Sequence, residues 1–150
     1  MPQPMSFIRL WNDRTGTSFI ETAILIPAML LLCCGTMDFA RVVYAGVEIA
    51  SAARAGVQYG ALTPGNSGNT SGMTQAALTD AADLGSSVTA SASNFCSCNG
   101  VTTPCTTPCA GVAPDGYVSV TANYTFNSLL PYPGLPQTVV LSRTAKMRVQ

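Results

Sequence analysis

A nearly uninterrupted apolar stretch, residues 19–37, constrains this chain more than any other feature of its sequence. Its length is close to the roughly 20 residues that a helix needs to cross a bilayer. Arg9 and Arg14 precede the stretch, and basic residues beside a span favour the cytoplasmic side of a membrane. We therefore predict a membrane-spanning helix whose N-terminal end lies in the cytoplasm and whose C-terminal part lies outside it.

The composition excludes several classes of function. Charged residues make up 9% of the chain and the formal net charge is zero, whereas soluble proteins typically contain about 25% charged residues. No basic stripe is present to neutralise phosphates, so we expect no nucleic-acid partner. The chain has no histidine, and its residues assemble into no nucleophile–base pair, phosphate loop or pair of catalytic carboxylates. The sequence therefore predicts a protein that is not an enzyme and uses no cofactor.

The helix that begins in the apolar stretch is predicted to continue well beyond it. We predict that it runs over residues 17–61, up to the turn-forming residues that follow, and a helix of that length extends about 68 Å at 1.5 Å per residue. This is more than twice the hydrocarbon thickness of a bilayer, about 30 Å. We expect residues 17–37 to span the membrane and residues 38–61 to project from it as an amphipathic helix.

Four glycines interrupt this helix: Gly35, Gly46, Gly56 and Gly60. Glycine costs about 1 kcal/mol relative to alanine in a helix interior, so their presence favours close packing that offsets the cost. The packing partners are either other helices or, for Gly56 and Gly60 in particular, the protein's own C-terminal domain. The sequence leaves both alternatives open.

Glu21 and Pro27 are the unusual residues of the span. A carboxylate at the centre of a span costs about 2.5–3.5 kcal/mol on insertion scales, and no basic residue lies within one turn of Glu21. Glu21 therefore requires a partner outside its own helix. Pro27 lacks a backbone donor and clashes with the preceding turn, which predicts a kink or a local opening. Cys33 and Cys34, also in the span, are interpreted as small apolar residues.

The remainder of the chain is predicted to form a small α+β domain. Residues 62–72 are rich in Pro, Gly, Asn and Ser and are expected to be a linker, which places the domain at residues 73–150. A short helix follows, ending near Gly85. Alternating apolar residues then predict strands over residues 87–95, 116–126 and 138–149. The apolar faces of the last two strands comprise Val118, Val120, Ala122, Tyr124 and Phe126, and Val139, Leu141, Ala145, Met147 and Val149.

Arg143 departs from the alternation of the last strand, and the three prolines of residues 128–137 predict a loop before it. We expect an antiparallel sheet of about three strands whose apolar face is covered by the short helix, either alone or together with the long helix. The fold class is thus α+β.

Four cysteines follow the first predicted strand: Cys96, Cys98, Cys105 and Cys109. In a domain outside the cytoplasm they predict two disulfides. A bridge between Cys96 and Cys98 would be strained, which leaves two pairings open: 96–105 with 98–109, or 96–109 with 98–105. A zinc site is the competing interpretation, but the spacing and the compartment favour disulfides, and we expect no metal. Solvation and turn chemistry explain Asp80, Asp83 and Asp115 better than calcium binding does.

The N-terminal part resembles a known family. Gly16, followed by Thr17, Glu21 and an apolar helix, is similar to the prepilin peptidase site of type IV pilins. The longer stretch "GTSFIETAILIPAMLLLCCGTMDFARVVYAGVEIASAARAGVQYGA" resembles the TadE-like proteins of tight-adherence (Flp-type) pili, with the glycine, the glutamate, Pro27, "DFAR" and the Ala-Ala-Arg-x-Gly element in order. The resemblance covers about a third of the chain.

This resemblance implies a type IV pilin-like architecture and a set of partners. Prepilin peptidase would cut after Gly16, removing residues 1–16 as a cytoplasmic leader and making Thr17 the first mature residue. Glu21 would then meet the free amine of a neighbouring subunit, and the helix would pack among those of other pilins or pseudopilins. An inner-membrane assembly platform is the further partner that the family implies. The precursor would lie in the bacterial inner membrane, and the assembled protein at the cell surface.

Two functions follow from the sequence. The first is a structural minor pilin or pseudopilin of a tight-adherence pilus or related secretion machine. The second is an uncleaved single-span membrane protein whose disulfide-stapled outer domain binds a partner. The intact mass of the protein from cells with and without prepilin peptidase distinguishes them.

Overall fold

The computed structural model describes residues 15–131 and 134–149. Helix α1 spans Thr15–Ala61, α2 Pro64–Ser67 and α3 Thr70–Asp80, and a 3₁₀ segment follows at Ala82–Ser87. The strands are β1 Val88–Cys98, β2 Val101–Thr103, β3 Asp115–Asn127 and β4 Thr138–Arg148. Most of the predicted leader, residues 1–14, lies outside the described residues.

The described chain divides into two compact units. The first ends at Asp38 and the second begins at Phe39, so α1 contributes its N-terminal part to one unit and its C-terminal part to the other. We call residues 39–61 the outer half of α1. The outer half is part of the same compact unit as the sheet.

In the first unit α1 continues through Pro27 without interruption. It is long and apolar enough to cross a membrane by length and composition. Its large apolar side chains are exposed in the isolated chain, among them Phe19, Ile24 and Leu32 at 78%, 69% and 68%. The apolar N-terminal helix therefore indicates a membrane anchor.

The four strands form one antiparallel sheet in the order β2-β1-β3-β4. Its register pairs Ala90 with Ala122 and Val120 with Ala145. The buried residues of β3 are Val118, Val120, Ala122 and Phe126, which is the apolar face that period-2 alternation predicts. The predicted fold, a long helix followed by a small antiparallel α+β domain, is confirmed.

Strand β2 was not among the predicted strands. It follows β1 through a two-residue turn at Asn99 and Gly100, both with positive φ, 50° and 85°, and Cys98 pairs with Val101 across it. Asn-Gly is the preferred sequence for such a hairpin turn. The signal was therefore present, but the short strand lies inside the cysteine segment, where no alternation of apolar residues marks it.

The core lies between the helices and one face of the sheet. It has two adjoining clusters of buried residues: Ile49, Ala52, Ala53, Ala81, Val88 and Ala122 in the first, and Val57, Ala61, Met73, Ala77, Val118 and Val120 in the second. Many of these are alanines, so the outer half of α1 and α3 approach the sheet closely. Small side chains also limit the apolar area that the domain can bury.

The segment predicted as a linker, residues 62–72, contains capped helical structure. The Thr63 side chain accepts a hydrogen bond from the Asn66 amide at the start of α2, where Pro64 occupies the first turn. Asn69 caps α3 by accepting from the Gly72 amide at 2.9 Å. Turn-forming residues in this segment therefore act as helix caps, which start α3 three residues before the predicted boundary.

Candidate helix-packing surface

One face of the outer half of α1 is covered by the sheet and α3. Ala45, Ile49, Ala52 and Ala53 expose no more than 2% of their surface, and their spacing of three and four residues is that of one helix face. On the other side Val47 remains 63% exposed. The outer half therefore buries one apolar face within its own domain and leaves further apolar side chains uncovered.

The glycines of α1 divide between these two faces. A Cβ atom added at Gly56 would lie 2.9 Å from the backbone oxygen of Met73 and 3.0 Å from a methyl group of Val120. A Cβ added at Gly60 would overlap the Met73 side chain. Gly56 and Gly60 therefore permit close packing within the protein's own domain, which is the second of the alternatives that the sequence left open.

Gly46 is different. A Cβ atom added there would meet no atom within 4 Å, and the same holds at Gly35 in the first unit. Packing within the described chain thus does not require a glycine at position 46. Because Gly46 has no side chain, the backbone of α1 remains accessible at this position.

Gly46 lies in an open groove between the outer half of α1 and strand β4. The floor and walls are mainly apolar and the rim carries two arginines: Val42, Val43, Gly46, Val47, Ala50, Ser51, Arg54, Leu141 and Arg143 line it. We call this surface the α1–β4 groove. It exists because the helix covers the centre of the sheet and leaves the inner face of edge strand β4 only partly buried.

The sequence pattern indicated the helix side of the groove but not its β4 side. Gly46 and Ala50 are spaced four residues apart, as small residues at helix contacts are. The one sign of the β4 contribution was Arg143, which breaks the apolar alternation on the strand face opposite Ala122. A charge at that position indicates that the apolar face of β4 ends beside open space rather than in a sealed core.

The polar groups of the apolar stretch differ in how they are satisfied. Thr22 donates to the Ser18 carbonyl at 2.8 Å and Thr36 donates to the Cys33 carbonyl at 2.9 Å. Such bonds to the preceding turn satisfy a hydroxyl within the helix. A carboxylate cannot donate such a bond, and the sequence has no Lys or Arg between Arg14 and Arg41 to pair with Glu21.

The remaining predicted site residues lie in α1 and at the β1–β2 hairpin. Gly16 and Thr17 lie in the first turn of α1, and Pro27 lies within it. Disulfides join Cys96 to Cys105 and Cys98 to Cys109, which is one of the two pairings that the sequence left open. These bridges lie at the β1–β2 hairpin, on a part of the domain separate from the groove.

The N-terminal segment of the chain matches a known family. Residues 16–58 match the family described as TadE-like protein. The N-terminal segment is TadE-like. The match begins at Gly16, includes Glu21, Pro27 and Gly46, and covers less than a third of the chain. No curated protein and no solved structure matches the chain significantly.

Residues 16–58 are thus similar to the TadE-like family, which is the family that the sequence resemblance indicated. This segment contains the apolar stretch and most of the outer half of α1. It ends before the sheet, so it contributes only the helix side of the α1–β4 groove. Leu141 and Arg143, which form the other side, come from the part of the chain that the family match does not cover.

Proposed function

We propose that this protein is a structural minor pilin or pseudopilin of a tight-adherence pilus or related secretion machine. The observation that carries this proposal is the exposed apolar helix of the first unit. The second unit has an uncovered surface of its own, the α1–β4 groove. Helices of other pilins or pseudopilins are the partners that fit an apolar helix and an apolar groove that contains glycine. The family match to the same segment supports the same class of function.

Maturation gives Glu21 its partner in this proposal. Prepilin peptidase removes residues 1–16 in the bacterial inner membrane, and the cut creates a free amine at Thr17. The Glu21 carboxylate of one subunit then pairs with the Thr17 amine of the next. Such a buried pair sets the register between subunits more reliably than it adds net stability. Assembly thereby becomes dependent on processing, and an inner-membrane platform moves the assembled subunits to the cell surface.

The first experiment is the intact mass of the protein from cells with and without prepilin peptidase. The proposal expects loss of residues 1–16 only where the peptidase is present. An uncut chain in both strains would contradict it. That result would favour the second interpretation, a single-span membrane anchor that displays the disulfide-stapled domain to a partner.

The second experiment tests Glu21 directly. Glu21→Ala and Glu21→Gln should both insert in the membrane and be cleaved after Gly16, yet be recovered with other pilins at a sharply reduced level. Thr22→Val is the matched control, because Thr22 bonds only to its own helix, at the Ser18 carbonyl. Recovery of both Glu21 variants in sheared pili at the wild-type level would exclude this role for the carboxylate.

A further inference from the structure

A second uncovered apolar surface lies on the loop that joins β3 to β4. Leu129 and Leu135 expose 57% and 67% of their surface, and no charged residue occurs between Asp115 and Arg143. Single exposed apolar residues are ordinary on a protein surface, but a cluster of them marks a contact site. We call this group the loop patch; its members are Leu129, Leu130 and Leu135.

The contacts of β3 place the loop patch at one end of the domain. Near the start of β3, Val118 packs at the C-terminal end of α1, within 3.3 Å of a Cβ built at Gly60. Near the end of β3, the Phe126 ring lies 5.1 Å below the guanidinium carbon of Arg41. Strand β3 therefore runs antiparallel to the outer half of α1. The loop patch begins three residues after Phe126 and lies at the N-terminal end of the outer half.

This is the end at which the domain is joined to the apolar stretch. Phe39, the first residue of the unit, is 71% exposed and follows the apolar residues 19–37 closely in the chain. At the opposite end of the domain, Asp115 and Arg148 form an ion pair at 2.7 Å. The end that carries the loop patch, together with Arg41, is thus the end nearest in sequence to the apolar stretch.

We propose that the loop patch inserts into the headgroup region of the bilayer that holds the apolar stretch, and so forms a second membrane contact before assembly. The proposal rests on the membrane anchoring in the proposed function. Covalent connection keeps this end of the domain beside lipid, so the bilayer is the one apolar partner that is always within reach. Apolar side chains beside an uncharged loop are suited to burial at the boundary between headgroups and acyl chains.

A second membrane contact has a consequence for the motion of the outer domain. An outer domain held only by a helix can rotate and tilt about its anchor. Two contacts at the same end restrict that motion. Transfer of the subunit into a filament would then require the loop patch to leave the lipid.

The test uses tryptophan as a probe of lipid contact in the full chain. The chain has a single tryptophan, Trp11, so a Trp11→Phe background allows one probe at a time. Leu135→Trp reports on the loop patch. Val101→Trp is the matched control, since Val101 is exposed to a similar extent, 70% against 67%, and lies on the β1–β2 hairpin away from the patch. Leu31→Trp reports on the anchor itself.

Each variant is reconstituted in vesicles of phosphatidylethanolamine and phosphatidylglycerol whose acyl chains carry bromine near the headgroup end. Bromine quenches tryptophan only on contact. We expect emission from Leu135→Trp to fall by about twofold relative to unbrominated vesicles, because a loop in the interface lies beside the upper acyl chains. Emission from Val101→Trp should be unchanged, and emission from Leu31→Trp should fall.

The outcomes separate this proposal from the one on which it rests. Quenching of Leu31→Trp without quenching of Leu135→Trp would overturn the loop contact and leave the anchor in place. Absence of quenching at Leu31→Trp would overturn both. A blue-shifted but unquenched Leu135→Trp would show that protein, such as a second copy of the chain, covers the patch, and this too would overturn lipid insertion.

Discussion

The sorting of the glycines of α1 into two faces gives the sharpest prediction about stability. Replacing glycine by alanine within a helix contributes about 1 kcal/mol when the methyl group has room. At Gly46 a Cβ meets no atom within 4 Å, so Gly46→Ala should stabilise the outer domain by up to about 1 kcal/mol.

Gly56→Ala should have the opposite effect. Its methyl group would lie 2.9 Å from the Met73 carbonyl oxygen and 3.0 Å from Val120. The carbonyl belongs to the backbone of α3 and cannot rotate away, so the helix itself must shift. Overpacking of this kind costs about 1–3 kcal/mol, against a gain of about 1 kcal/mol in helix propensity. We expect a net loss of up to about 2 kcal/mol and a difference of about 1–3 kcal/mol between the two variants.

Urea unfolding of the detergent-solubilised full chain, followed by circular dichroism and by proteolysis of the outer domain, measures this difference. The two variants carry the same chemical change in the same helix, so effects on the detergent-bound anchor cancel in the comparison. Equal midpoints for Gly46→Ala and Gly56→Ala would refute the assignment of the two glycines to different faces. A Gly56→Ala domain more stable than wild type would show that α3 yields at negligible cost.

Three further predictions concern assembly, processing and the disulfides. Gly46→Leu should leave the outer domain folded but fill the α1–β4 groove and sharply reduce recovery in sheared pili; wild-type recovery would exclude the groove as a packing surface. Gly16→Val should retain the leader, because a larger side chain intrudes at the scissile bond, and a mature intact mass would contradict this. Opening the Cys98–Cys109 loop, with a sequence separation of 11, by serine substitution at both positions should cost about 3 kcal/mol and make the domain protease-sensitive. Four free thiols in the unreduced outer domain would argue against the bridges themselves.

Local sequence pattern was sufficient for much of the fold. The length of the apolar stretch and the turn-forming residues after Ala61 predicted α1, and period-2 alternation predicted the buried face of β3. These features depend on neighbours in the chain, where the geometry of a helix or strand fixes which side chains share a face. The boundaries near Thr63 and Asn69 were less accurate, because residues typical of a linker served as helix caps.

Which residues pack against each helix or strand face depends on the tertiary structure. Sequence spacing placed Gly46 and Gly56 in equivalent small-residue patterns, and only the packing of α3 and β3 on α1 distinguishes the occupied position from the open one. Four cysteines indicated two disulfides, but their pairing depends on how the β1–β2 hairpin folds back. The sequence by itself thus determined the elements and their apolar faces, through periodicities that are local. The α1–β4 groove and the position of the loop patch depend on contacts between residues far apart in the chain, which no local period records.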